Sequence, residues 1–585
     1  MRASPFFALA LSGLTLLGQA GPRQTFRQWM GGQEVGGSTL ETRLDGAVRE
    51  VRSREWMVLS RMGQELREEV TETARKTPDG QLTFTWRLQL SSEPFEGRAE
   101  WSPQDPGVLS IQSSHGPAVR KEIPVGALLW PEDWESQLKE AARTGRAVKA
   151  ITFSFPVQQW STVHLEPKGA APLPGFPDAV RFIGEEQDGS ATAPVEVWLS
   201  PTEGEVRRRT TLGSLELLTQ RSELPAPIPA KGPGEEFFER TLQTLPPHPF
   251  QPWITEWVLR GEGPLPGIPE DAQQSRLPEG RWRLRRAAPP TPAEAAQSPV
   301  KGTPSSEEAR FLAPSALVQF QDPAFDGLIR RMAPAPEMSR WDLARRVNTF
   351  VFEWITEKDF TVGFASALEV CHHPRGDCTE HGVLAVALLR RLGVPARGVT
   401  GWVGLGELLG LHFWVEVRLK DRWVPIDPTF DQAPASALRI KLGDTDLSDL
   451  GSVGWEGAAL AFTGVKWVPE QEGTFTSLGD QITGPGHIRL RLPRGLWDLR
   501  HGTLRLRTEH GGPWRVQAVN RPSESQLKGV AHMAGGRTLR QGWWNTASHV
   551  LLMDLAGGRW IQFEGVSETE VYDLLDQLIV ATSSS

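Results

Sequence analysis

Cysteine is almost absent: the 585 residues contain two, Cys371 and Cys378, both in one short segment. A pair in so long a chain excludes a disulfide framework. Tyrosine is rarer still, with Tyr572 alone against 23 Trp and 24 Phe. Positive charge is not in excess, since the formal net charge is −8. No domain-wide field exists to gather phosphates, which argues against a nucleic-acid partner. Beyond the N-terminal segment no uninterrupted run of ~20 apolar residues occurs, so no integral membrane span is expected. Turn formers, by contrast, are plentiful. The 58 Gly and 47 Pro make up nearly a fifth of the chain, a composition suited to short strands and many turns. Overall 39% hydrophobic and 23% charged residues are ordinary for a globular protein, and the length sets a prior of about four domains.

The order of patterns predicts an α+β multidomain chain. Residues 1–20 read as an export signal: Arg2, an apolar stretch from Pro5 to Gly18, and Gly18-Gln19-Ala20 with small residues at the −3 and −1 positions. The mature protein is expected in the periplasm, cell envelope or extracellular space. Residues 21–224 form a β-rich antiparallel domain by pattern, with strand-like runs such as Leu82 to Leu90 and Val148 to Phe155 set between turns. One helix interrupts it, Glu132 to Arg143, between Pro131 and Gly145. In outline this resembles the half-barrels of bacterial envelope lipoprotein carriers. A connecting region, 225–304, ends in the Pro-rich stretch Ala287 to Pro304, expected to be extended and exposed. The runs Arg207-Arg208-Arg209 and Arg281 to Arg286 are expected as solvated strand faces. A third domain spans 305–475, and a small C-terminal α+β domain, 476–585, is expected to close with a helix from Ser567 to Val580.

The chemistry concentrates in the third domain. In Gly376-Asp377-Cys378-Thr379-Glu380-His381-Gly382, Asp377 is a helix cap and Glu380 completes a capping box. Cys378 then occupies the first helical position, where unpaired N–H groups and the helix dipole favour thiolate over thiol. Its backbone N–H is also a candidate oxyanion donor. The segment Leu411 to Leu419 alternates, with Leu411, Phe413, Val415, Val417 and Leu419 on one face and His412, Trp414, Glu416 and Arg418 on the other. A two-residue turn at Lys420-Asp421 pairs Leu419 with Arg422, which sets Trp414 opposite Asp427 and brings Asp427 diagonally to His412 on the same face. A carboxylate there can orient the imidazole for general-base work.

Those three segments resemble the three motifs of the transglutaminase-like superfamily, a papain-related group. They are Gly376-Asp377-Cys378, Leu411 to Val417, and Val424-Pro425-Ile426-Asp427-Pro428-Thr429. The flanks Gly363 to Ala367, Gly393 to Arg397 and Ala435 to Leu442 agree, so the resemblance runs from about Phe311 to Leu447. It implies Cys378 as nucleophile, His412 as base and then acid, and Asp427 as orienting carboxylate. Leu411-His412-Phe413 departs from the Tyr-His-Ala often found in the family, and is expected to add bulk beside the base.

Rival readings exist. Cys371-His372-His373 with Cys378 and His381 offers metal-ligand types, but not the paired short spacings of a structural zinc site; neither a metal nor any other cofactor is expected. A Cys371–Cys378 disulfide would silence the nucleophile. His381 competes with His412 as base, and Asp431 with Asp427 as the acid. The function implied is acyl transfer on protein or peptide carboxamides through a thioester, ending in cross-linking, deamidation or peptide hydrolysis. The competing class is a non-catalytic envelope interaction module that keeps the fold.

Overall fold

The computed structural model describes residues 23–224 and 256–450 apart from a few short stretches, residues 242–245 and 465–469, and the strands within 476–580. The expected export signal and the start of the connecting region, 225–241, lie outside the described residues.

Fifteen strands between Gln24 and Ser222 form one large sheet, antiparallel apart from a single parallel pair. The chain meanders outward from the central strand Gln24–Met30 to Val119–Glu122. It crosses through the helix Pro131–Thr144 and meanders back until Leu215–Ser222 closes on Gln24–Met30. The helix begins at Pro131 and stops at Gly145, whose φ of 63° makes it a left-handed C-cap. Its face of Trp134, Leu138, Ala141 and Ala142 joins one core with Phe84 and Trp86 from the outward strands and Phe182 and Val195 from the returning ones. These strands lie far apart in the sheet order, so the sheet curls around the helix.

The same side of the sheet serves a second core. Side chains two apart on a strand share a face, so Leu88 and Leu90 continue the face of Phe84 and Trp86, yet they pack with Leu317, Phe325 and Phe364 of the third domain. Polar clasps reinforce this junction. The buried Glu369 carboxylate accepts hydrogen bonds from Ser91 Oγ (2.6 Å), from Ser92 Oγ, and from the backbone N–H groups of Ser92 (3.0 Å) and Glu93 (3.2 Å). Gly363 N–H donates to Leu90 O at 2.7 Å. Glu369→Ala removes the acceptor of all four of these hydrogen bonds at a partly exposed junction, and should lower stability to urea by about 1–3 kcal/mol; a denaturation midpoint that does not move would contradict this.

The third domain sets helices on a curled sheet. The helices Arg340–Trp354 and Ala367–His372 pack against the cysteine helix, Cys378–Arg391. Its sheet is built from Ala396–Leu405, flanked by Leu408–Leu419 and Arg439–Thr445, with Arg422–Ile426 added beyond Leu408–Leu419. The cysteine helix lies close to that sheet because two glycines make room: a Cβ on Gly382 or on Gly398 would fall 2.4 or 2.3 Å from the Phe413 ring. Phe413 therefore does not crowd the base as expected. Strand alternation turns it away from His412 into the helix–sheet interface, where it is 1% exposed.

Three further expectations change. Between Glu256 and Arg285 the connecting region folds onto the third domain: Glu256–Glu262 pairs with both Arg281–Arg285 and Lys466–Pro469, and Trp257, Trp282 and Trp467 enter the same core. The stretch Ala287 to Pro304 is not free chain. Its helix Pro292–Ala296 has a complete capping box from Thr291 and Glu294, Glu294 also binds Arg422, and Ser298 is 1% exposed. Local polar capping anchors a segment that lacks any apolar period. In the Arg207–Arg209 run only the outer two lie over Trp198; Arg208 points inward, buried between Glu186 and Glu205 at 2.9 Å each.

The described part of 476–580 consists of strands in two antiparallel sheets. Of the expected terminal helix, residues 567–578 lie outside the described residues, and Ile579–Val580 is a strand paired with Leu490 and Arg491. Among the described residues no helix is long and apolar enough to cross a membrane.

Candidate active site

Asp377 caps the cysteine helix as its sequence predicts. Its Oδ1 accepts from the Thr379 N–H at 3.1 Å, and its own N–H donates to Glu380 Oε2 at 2.9 Å. Glu380 is fully buried and reaches further: its Oε1 accepts from the Ala365 N–H at 3.0 Å, so one carboxylate ties the loop before the cysteine to the helix cap. The chain enters this cap through Gly376, whose φ of +134° and 2.4 Å clearance to the Glu380 side chain leave no room for a Cβ. Cys378 is thereby held at the first position of the helix.

The hairpin register is the predicted one, with Leu419 opposite Arg422 and Val415 opposite Ile426. One residue past the strand, Asp427 is fully buried and meets His412: Nε2 lies 2.7 Å from Asp427 Oδ2. His412 also interacts with Cys378, by charge and by a side-chain hydrogen bond. Phe430 stacks on the imidazole with centroids 5.0 Å apart, and Trp414 lies nearly parallel at 6.3 Å. The ring therefore has little freedom to turn.

Electrostatics follow from this packing. Burial raises the cost of ionising the Cys378 thiol, and Asp377 adds to it. The His412 ring pulls the other way, by charge and by its hydrogen bond. For His412 burial disfavours the imidazolium, but Asp427 and then Cys378 outweigh it and push the ring up to about 9. Burial also opposes the Asp427 charge. His412 and Arg439 nevertheless hold that carboxyl well below the usual carboxylate range.

The rival residues have partners of their own. Cys371 and Cys378 are not joined in a disulfide, and among the described residues no group of three or more His, Cys, Asp or Glu is arranged to hold a metal ion. His381 turns its Nδ1 to the Asp377 carbonyl at 2.5 Å. Asp431 accepts from Asn348 (3.0 Å) and Thr349 (2.8 Å) on the helix Arg340–Trp354. Cys371 lies among apolar neighbours, where burial, with Asp322 nearby, pushes its thiol up to about 11. At pH 7 that leaves on the order of one thiolate in 10⁴. Cys378 should therefore alkylate with iodoacetamide at pH ~6–7 at least tenfold faster than Cys371, read by peptide mass spectrometry. Equal, slow labelling of both would remove the activated-thiolate picture.

Sequence reasoning missed Arg439. Its Nη2 donates to the same Asp427 Oδ2 that His412 uses and to Gln432 Oε1 (3.1 Å), while Nη1 donates to Ser436 Oγ at 2.6 Å. The signal was available: an arginine inside Ala437-Leu438-Arg439-Ile440, an apolar strand start, needs a buried acid.

A family model for the transglutaminase-like superfamily matches residues 328–428, which include all three predicted site residues. No curated protein sequence matches the chain. Among solved structures, similarity is found to a β-barrel-like protein from Brucella abortus with a domain of unknown function. That match has 13% identity over 35% of this chain and 96% of the other, with a TM-score of 0.28. A candidate cysteine protease from Cytophaga hutchinsonii matches at 12% identity over 38% of this chain and 91% of its own, with a TM-score of 0.24. A candidate protease from Parabacteroides distasonis matches at 9% identity over 91% and 93%, with a TM-score of 0.17. The motif order and the family match agree, and residues 328–428 form a transglutaminase-like superfamily domain.

Proposed function

We propose that this chain is an exported cysteine enzyme that transfers or hydrolyses acyl groups of protein or peptide carboxamides, with Cys378 as nucleophile. The observation that carries the reading is the continuous contact from the capped Cys378 to His412 and from His412 Nε2 to Asp427 at 2.7 Å. In the first half-reaction the Cys378 sulfur attacks the carboxamide carbon and the C–N bond breaks. His412 gives its proton to the departing nitrogen, so ammonia or an amine leaves and a thioester remains. In the second half-reaction His412 takes a proton from the incoming amine or water. Attack on the thioester then releases the Cys378 sulfur and yields the cross-linked or hydrolysed product. Asp427 keeps the imidazole in the tautomer and orientation that both steps need. The signal-like sequence pattern of residues 1–20 is what supports a location outside the cytoplasm.

Monodansylcadaverine incorporation and ammonia release, measured side by side on a panel of protein substrates, test the reading. Wild type is expected to give at least one signal and Cys378→Ala neither. Silence of wild type across the panel would favour the interaction-module alternative.

A further inference from the structure

We propose that Arg439 is a positioning residue of the Cys378–His412–Asp427 system, which pins the Asp427 carboxylate and takes up part of its charge so that the imidazolium can release its proton. The inference rests on the reaction proposed above.

Asp427 is held at three points. Oδ1 accepts from the Thr429 N–H at 3.0 Å, and Oδ2 is shared between His412 and Arg439. Arg439 is itself fixed, by Ser436 and Gln432 and by the Trp414 ring 5.7 Å from its guanidinium carbon. Gln432 in turn exchanges backbone hydrogen bonds with Asp427, at 2.8 and 3.0 Å. The guanidinium is thus built into the site rather than resting on it.

Charge balance gives this arrangement a consequence. In the reactive state the buried set is a thiolate, an imidazolium, the Asp427 carboxylate and the Arg439 guanidinium, which sum to zero. Without Arg439 the set carries one net negative charge, and a buried proton on His412 is held more tightly. His412 would then be a poorer acid toward the leaving nitrogen. Among the described residues, the charge of Asp377 acts on Cys378 from the helix cap, and Arg286, just past Arg281–Arg285, lies close enough to Arg439 to feel its charge and bonds Pro434 O at 3.3 Å.

The test is the titration of the His412 ring by NMR in full-length protein labelled at histidine, in a Cys378→Ala background, together with kcat against pH in the Cys378 form. Arg439→Gln should raise the His412 pKa by about one unit and lower kcat about tenfold, moving the basic limb of the profile upward. Arg439→Lys keeps the charge but loses the fork, so the titration should stay within a few tenths of a unit while kcat still falls. An unchanged or lowered His412 pKa in Arg439→Gln overturns the proposal. If that variant does not fold, Arg439→Lys decides, and a one-unit shift there overturns it. The NMR arm needs no turnover, so an inactive wild type would defeat the proposed function while the His412 titration still decides the role of Arg439.

Discussion

His412→Ala should reduce acyl transfer by about 10⁴-fold or more, because the same ring both stabilises the thiolate and delivers the leaving-group proton. The loss should appear in kcat, with KM nearly unchanged, since the ring is buried and offers little surface for binding substrate. Cys378→Ala should cost at least as much. The double variant should be no worse than either single one, because the pair acts as a unit. Independent, multiplying losses would mean that the two residues do not share a step.

Asp427→Ala should have the largest effect on stability. It leaves Arg439 buried without its acid and His412 Nε2 without its acceptor, a loss of about 3–5 kcal/mol. The pH dependence of the wild type checks the same contact. His412 is raised in the folded state to about 9. Its contribution is therefore complete below the unfolded value of ~6.5 and disappears as pH climbs through about 9. Asp427 is depressed, so its contribution is present above ~3.9 and lost as pH falls through its lower folded value. Urea midpoints should form a plateau between roughly pH 4 and 6.5. Asp427 is the strongest of the groups that raise His412, and Asp427→Ala should make the decline above pH ~6.5 shallower and end it well below pH 9. A decline that still runs to about pH 9 in the variant would mean that the carboxylate does not hold the imidazolium.

Much of the site was legible because its geometry is local. A cap residue and a capping box put Cys378 at a helix tip, and a two-residue turn fixed the pairing that brings Asp427 to His412. Neither placement needs any long-range contact. Phe413 was misjudged because its neighbours are Gly382 and Gly398, which belong to other elements and whose clearance a linear reading does not show. Arg439 escaped for a similar reason: its acid lies 12 residues away, across a loop whose path no local pairing rule fixes. In the first 224 residues the strands and the helix Pro131–Thr144 could be read from alternation and turns. The closure of Leu215–Ser222 on Gln24–Met30 could not, being a pairing across nearly the whole domain. The Pro-rich stretch was read from composition alone, which says nothing of anchors such as Arg422 and Arg340 that other segments supply.

The sheet that wraps the helix Pro131–Thr144 spends the remainder of its inner face on the neighbouring domain. A fragment cut at residues 305–475 would therefore expose to water the patch around Leu317 and Phe364, and would leave the Glu369 carboxylate without Ser91, Ser92 and Glu93. It should be recovered as aggregate, whereas co-expression with residues 21–304 should restore solubility. On that outcome the smallest unit to stand alone would be the pair, and swapping either half between relatives would have to carry the seam along with it.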